Sequence, residues 1–358
     1  MYWQIFNVLV LDFGFFMLFK ASKKIFSEKV AYIAFYICVL SLSLSPWILV
    51  PYTDTFSFSL VSLIFYVYGI ERHSFRKFSK YLLTTLLGVL LGIAFLLKPS
   101  SIIFFIAWIV MEFVDITVGQ RSQSLFKIKK IIYVLVFLLA TITVFNVFQK
   151  SQTMIEINDQ ESKPATHFIM MGLKNEGGYN QEDVDKVKNI SGKENKKLYI
   201  QSEIRTRLKE MGPFGYLKFL MKKHFNNTSN GDFGWGRDGT PQRPEKEATS
   251  NFQTLLRDWY YQQGNRVNNL RFFMHLIWLI VLIFAFSVVF MKLNGNDSSQ
   301  LIYILMLSIL GGFIYLLLFE GGRSRYLIQF LPIFYMLAGI GLNNILEPAN
   351  QLKRYIKK

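Results

Sequence analysis

The sequence predicts an all-α polytopic membrane protein of about nine transmembrane helices, with one extracytoplasmic α-rich domain between spans six and seven. Three observations predict it. Of 358 residues, 52% are hydrophobic and 16% aromatic, a richer apolar content than a soluble domain of this size carries. The apolar residues stand in unbroken blocks, each roughly 17–22 residues and so able to cross the hydrocarbon core. The short loops between blocks alternate between basic and cation-poor, as insertion topology requires.

The blocks run at 3–19, 30–50, 55–70, 81–97, 101–118 and 131–148, and again at 272–291, 301–319 and 326–345. Only Lys98, Pro99 and Ser100 separate the fourth from the fifth. The chain thus divides into an N-terminal bundle of about six spans at 1–148, an extracytoplasmic loop domain at 149–269, and a C-terminal bundle of about three spans with a basic tail at 270–358. The loop at 20–29 carries Lys20, Lys23, Lys24 and Lys29, and reads as cytoplasmic. The next loop, 51–54, has no cation, and 71–80 is basic again. Arg121, Lys127, Lys129 and Lys130 follow the fifth block, and Lys353, Arg354, Lys357 and Lys358 follow the last. The N-terminus is therefore expected outside and the C-terminus inside. An outside start without a leader suggests that one further helix and its outer loop precede Met1.

Two cationic sites break the charge rule. Arg323 and Arg325 lie in a short outer loop, and Lys98 lies at an outer turn. For the arginines, headgroup anchoring competes with phosphate binding. The wrong-side placement, Glu320 close by and the following Tyr326 favour phosphate, which guanidinium forks match bidentately. Lys98 is a second phosphate cation or a snorkelling lysine. Asp54, in the small outer loop, can bind a metal, orient a sugar hydroxyl or terminate a helix. His167 is structural, or else meets a phosphate or a metal. Asp12 falls mid-span, where acids are functional candidates. Glu112 and His275 sit near span ends, while His73 and His224 read as solvated.

Within the external segment, 164–173 is apolar enough to lie on the membrane or pack on helix ends. Residues 175–180 read as a turn. Leu198, Ile200, Ile204 and Leu208, then Tyr216, Leu217, Phe219 and Leu220, mark two amphipathic helices separated at Met211-Gly212-Pro213. The glycine-spaced loop 231–239 holds Asp232 and Trp235. It suits a sugar-binding edge, with an indole over sugar C–H groups and a carboxylate on hydroxyls, or is an ordinary surface turn.

The net charge of +16 sits in membrane-flanking loops and the polar domain, which points to insertion and anionic lipid rather than nucleic acid. A single cysteine, Cys38, excludes an intramolecular disulfide and a cysteine-based metal cluster. No catalytic Ser/His/Asp set, phosphate loop, dinucleotide fingerprint or zinc motif is present. No GxxxG face is singled out, so the oligomeric state stays open.

Arg325-Tyr326-Leu327 with Glu320 before it, Pro332, and Leu337-Ala338-Gly339-Ile340-Gly341-Leu342 together resemble the ending of the GT-C fold glycosyltransferases, which use polyprenyl-phosphate sugars. The Leu96-Leu97-Lys98-Pro99-Ser100 junction is similar to a helix pair of that family. Residues 166–173, Gly178-Tyr179 and Asp232-Phe233-Gly234-Trp235 resemble its family-39-like members from Gram-positive bacteria. The resemblance implies an inverting transfer of a monosaccharide from a polyprenyl-phosphate-linked sugar to a cell-envelope glycan acceptor. A carboxylate would deprotonate the acceptor hydroxyl. Arg325 and Lys98, with Arg323 and Tyr326, would stabilise the leaving phosphate. Asp54 matches a second outer-loop acid, a substrate or metal ligand, and a divalent cation is left open. His167, Asp232, Trp235 and Glu320 are the other expected sugar-side residues. The family's catalytic acid sits in a first outer loop that this chain does not match, so the base is expected upstream of Met1. A lipid-linked-sugar flippase, needing charges along a central path, and a catalytically incomplete transferase are the alternatives.

Overall fold

The computed structural model describes residues 2–118, 124–155, 163–236, 247–293 and 297–356. Arg121, Arg237, Asp238, Gly239, Lys357 and Lys358 lie outside the described residues. The described chain is all-helical. Its α-helices are α1 (Tyr2–Ile25), α2 (Glu28–Leu42), α3 (Thr53–Arg72), α4 (Lys77–Leu97), α5 (Ile103–Val118), α6 (Ser124–Ser151), α7 (Ala165–Met171), α8 (Gln181–Lys188), α9 (Lys193–Thr228), α10 (Asn251–Tyr260), α11 (Val267–Ser287), α12 (Asp297–Phe319) and α13 (Leu331–Ile356). Among the described residues, 8 helical segments are long and apolar enough to cross a membrane.

The sequence predicts one more crossing, at 30–50, and this block is interrupted. α2 has 15 residues and stops at Leu42, and the chain then closes a short 3-10 turn at Pro46–Leu49. Local chemistry explains the break. The Ser43 hydroxyl donates back to the Val39 carbonyl, the Ser45 hydroxyl accepts from the Trp47 amide, and Pro46 can neither donate nor extend a helix before it. The carbonyls of Trp47 and Ile48 accept from the Asn7 amide at 3.3 and 2.8 Å. Helix and turn still carry the chain from one end of the bundle to the other. Gly69 meets Ile25 at one end, while Asn7, Trp47 and Thr55 meet at the other.

α1 packs on α2 and α3, α4 on α6, and α11 on α13, with α13 wedged against α2 as well. Small residues permit these approaches. A Cβ on Gly14 would sit 2.9 Å from the Ser59 Cα, and one on Gly339 2.9 Å from the Val30 carbonyl oxygen. α4 also carries Gly88-Val89-Leu90-Leu91-Gly92, a GxxxG pattern that the sequence reading passes over. Added Cβ atoms there would lie 2.7 Å from the Phe137 Cβ and 2.6 Å from the Thr141 Cβ, so the pattern faces α6 of the same chain.

The basic loops share one end of the bundle. There Lys23 pairs with Glu28 at 2.6 Å, Lys130 with the buried Glu71 at 2.6 Å, and Lys127 with Glu112 and Asp115 at 2.9 and 3.0 Å. The opposite end carries the polar segment, whose small core joins Met170, Val187 and Ile200 to Tyr199 and Ile204. Beside it Arg207 forks onto Asp183 with two bonds of 2.8 Å. Burial of Asp183 works against its charge, but the guanidinium prevails and holds the carboxyl below its ordinary range. α9 breaks where Gly212 takes φ 61° and ψ 176° before Pro213, which yields the two predicted helices.

Candidate functional site

Three separate segments meet at the polar end. α3 opens after an extended Tyr52, which places Asp54 in its first turn, where a carboxylate suits the helix dipole. α4 stops because Pro99 forces Lys98 into an extended conformation, φ −160° and ψ 111°. The chain after α12 returns as a 3-10 turn at Ser324–Phe330. Gln329 ties this turn to the Lys98-Pro99 junction, its Oε1 accepting from Ser100 at 2.7 Å and Ser101 at 3.3 Å. Its amide nitrogen donates to the Tyr326 carbonyl at 3.0 Å.

These ties bring Asp54, Lys98 and Arg325 together in a buried triad. Asp54 Oδ1 pairs with Lys98 Nζ, and Oδ2 faces Arg325 Nε at 3.3 Å. The three residues are 1%, 7% and 8% exposed, respectively. Aromatic faces line the cations. Arg325 lies 4.5 Å from the Tyr52 ring centre, 5.4 Å from that of Tyr326 and 5.7 Å from that of Trp47, and Lys98 lies 4.5 Å from Tyr326. Such contacts are strongest when desolvated.

Glu320 borders the triad. Burial raises its carboxyl above the ordinary range, with Lys98, Asp54, Arg325 and Lys223 as the neighbouring charges. Lys223, from α9, is a buried cation that sequence reasoning misses. Its amine donates to the carbonyls of Gly172 at 3.0 Å and Leu317 at 2.8 Å, closing the C-terminal end of α12. Burial pulls its pKa down to about 8 against the opposing pull of Glu320. The sum is a positive excess: Lys98, Arg325 and Lys223 face Asp54 and a Glu320 whose burial favours the neutral form. Buried uncompensated charge is costly, so the arrangement suits an added anion.

The glycine-spaced loop covers this site from outside. The Trp47 indole N–H donates to the Asp232 carbonyl at 3.2 Å, and the Trp47 and Trp235 rings meet edge-on at 5.6 Å. The sequence expectation of an open sugar-binding edge differs here. Trp235 is buried with its N–H on the Tyr260 carbonyl at 2.5 Å. Asp232 accepts from the Gly234 amide at 3.0 Å and faces Arg271 at 3.3 Å. Burying an indole against Trp47 gains more than leaving it in water, so these residues act as cover rather than edge.

Other candidates lie apart. His167 is fully buried on α7, and neither ring nitrogen has a hydrogen-bond partner among the described residues. Burial, and then Lys163, lower its pKa. Asp12 sits on the exposed face of α1 rather than toward a polar interior. His224, expected to be solvated, is half-buried with its ring 4.8 Å from that of Phe313. Arg323 lies over the Tyr179 ring at 5.9 Å, beside a cleft of about 340 Å³.

The triad does not fit a divalent cation. Both Asp54 oxygens already face cations, and among the described residues no three His, Cys, Asp or Glu side chains are placed to hold a metal.

Fold and site define a polytopic helical integral membrane protein with a polar segment over one end and a cation-rich cluster beneath it. More narrowly, residues 2–345 match a family profile described as conserved hypothetical integral membrane protein, and the chain belongs to that family. No curated protein matches the chain, and no solved structure matches it.

Proposed function

We propose that the protein is a glycosyltransferase that moves a monosaccharide from a polyprenyl-phosphate donor to a cell-envelope glycan on the outer face of the membrane. The single observation that carries this reading is the cation excess around Asp54 at the end of the bundle that bears the polar segment. The sequence resemblance to GT-C transferases supplies the reaction class.

In this reading the acceptor oxygen attacks the anomeric carbon from the face opposite the phosphate. The bond from that carbon to the phosphate oxygen breaks, its electron pair leaves with the lipid phosphate, and the configuration inverts. Lys98 and Arg325 stabilise the charge that develops on the departing phosphate, a preorganised electrostatic effect in a water-poor site. Tyr52, Tyr326 and Trp47 hold the guanidinium in place. The acceptor's hydroxyl proton passes to a carboxylate, as the resemblance implies. The transporter reading needs charges along a central path. The buried ion pairs lie instead at the two ends, and Asp12 is on an exposed face.

Membranes containing the protein, given a radiolabelled polyprenyl-phosphate sugar, should release polyprenyl phosphate and label a polymeric acceptor. Arg325→Ala and Lys98→Ala should each lower the rate by about 10²–10³-fold, the usual loss on removing one such charge-stabilising group. Full turnover in both variants would remove the phosphate role.

A further inference from the structure

The cleft beside Arg323 is a second feature of the polar end, and its walls have a distinct chemistry. It encloses about 340 Å³, near the lower limit of small-molecule sites, roughly 300–1,000 Å³, and enough for a single sugar-sized ring. Asn175, Asn226 and Asn230 line it. Among the described residues, none of their side-chain amides hydrogen-bonds to protein. Each amide offers a donor pair and an acceptor on one planar head. The Tyr179 ring is 52% exposed at the wall, with Arg323 over it.

The backbone is shaped to the same opening. Gly178, Gly234 and Gly322 line the cleft without side chains. A Cβ on Gly322 would approach the Glu176 carbonyl to 2.5 Å. Phe233, fully buried, holds φ 51°, an uncommon conformation for a bulky residue, and it presents Gly234 at φ 74° to the cleft. Its ring is pinned against Trp278 at 5.6 Å. The charged wall residues are mostly engaged elsewhere. Lys174 bridges to Glu182 at 2.6 Å, and Glu176 to Lys222 at 3.1 Å. What remains is a mostly polar, amide-lined wall with one aromatic face.

We infer that this cleft binds a saccharide ring, through amide contacts from Asn175, Asn226 and Asn230 to its hydroxyls and through the Tyr179 face against its C–H groups. This rests on the transferase reading and deepens it. Ser324, at the cleft wall, immediately precedes Arg325 of the triad. A sugar held there lies next to the phosphate position, so the cleft supplies the carbohydrate side of the reaction that the buried Asp232 and Trp235 do not.

The full chain in detergent can be tested by saturation-transfer NMR with glucose, N-acetylglucosamine and glucuronate as probes. Saturation should reach the ring protons of at least one of them. It should fall to background in Tyr179→Ala and in Asn226→Ala, and persist in Tyr179→Phe, which keeps the ring. Both positions are solvent-accessible, so these variants are expected to fold, and an unshifted Tm verifies it. No transfer to any of the three sugars, or equal transfer in both alanine variants, overturns the site. Sugar binding without donor turnover would instead sink the transferase reading and leave the cleft standing.

Discussion

Asp54 is the residue on which the polar end depends most. One carboxylate faces two buried cations, and the rings of Tyr52 and Tyr326 add attraction. Asp54→Asn keeps the shape and removes the compensation. Breaking a buried ion pair from one side typically costs about 3–5 kcal/mol. The variant's Tm in detergent should therefore fall by several degrees, while Asp54→Glu should recover part of the loss. A Tm equal to wild type would mean that the cations are solvated and the triad is open to water. Lys223 teaches a different lesson at this scale. Its neighbour Lys222 is exposed and pairs with Glu176, while Lys223 is buried and holds two carbonyls. Two adjacent lysines on a basic helix look alike in sequence, and only the packing of α7 and α12 around one of them tells them apart.

Helix pairs are set by small residues at contact points. Gly88 and Gly92 bring α4 onto α6, with Cβ positions 2.8 and 3.0 Å from the carbonyl oxygens of Val134 and Leu138. Backbone cannot yield as a flexible side chain does. Gly88→Val should destabilise by about 1–3 kcal/mol through overpacking. Gly215→Ala is the matched control, since its Cβ meets only the Met211 Cβ at an ordinary 3.6 Å. Equal Tm values for the two would show that α6 is not held by this contact. At this scale much was legible. Long apolar runs gave the crossing helices, and Gly212-Pro213 gave the break in α9. The interruption at 43–50 was written as Ser43, Ser45 and Pro46, but hydropathy averaged over the block concealed it. The triad was legible only as separate charges. Lys98 and Arg325 stood out against the loop rule and Asp54 as an acid in a small outer loop, yet nothing local states that Gln329 joins the segments of Lys98 and Arg325.

For the whole molecule, the charge alternation and the gathering of helix ends describe one topology. Its orientation can be read by labelling. Cys38 is buried, so the wild-type chain gives little thiol background. With an impermeant maleimide on intact cells, Lys197→Cys should label, and Phe75→Cys, at a fully exposed position on the opposite end, should label only after permeabilisation. The reverse pattern would put the triad on the cytoplasmic side and end the proposal of an outer-face transferase. The shortness of α2 has one more effect. Its 15 residues reach only about 22 Å at 1.5 Å per residue, against a hydrocarbon thickness of about 30 Å. The turn at Pro46–Leu49 makes up the remaining depth. Non-helical backbone at such depth needs partners from protein rather than lipid, and the Asn7 amide provides them for Trp47 and Ile48.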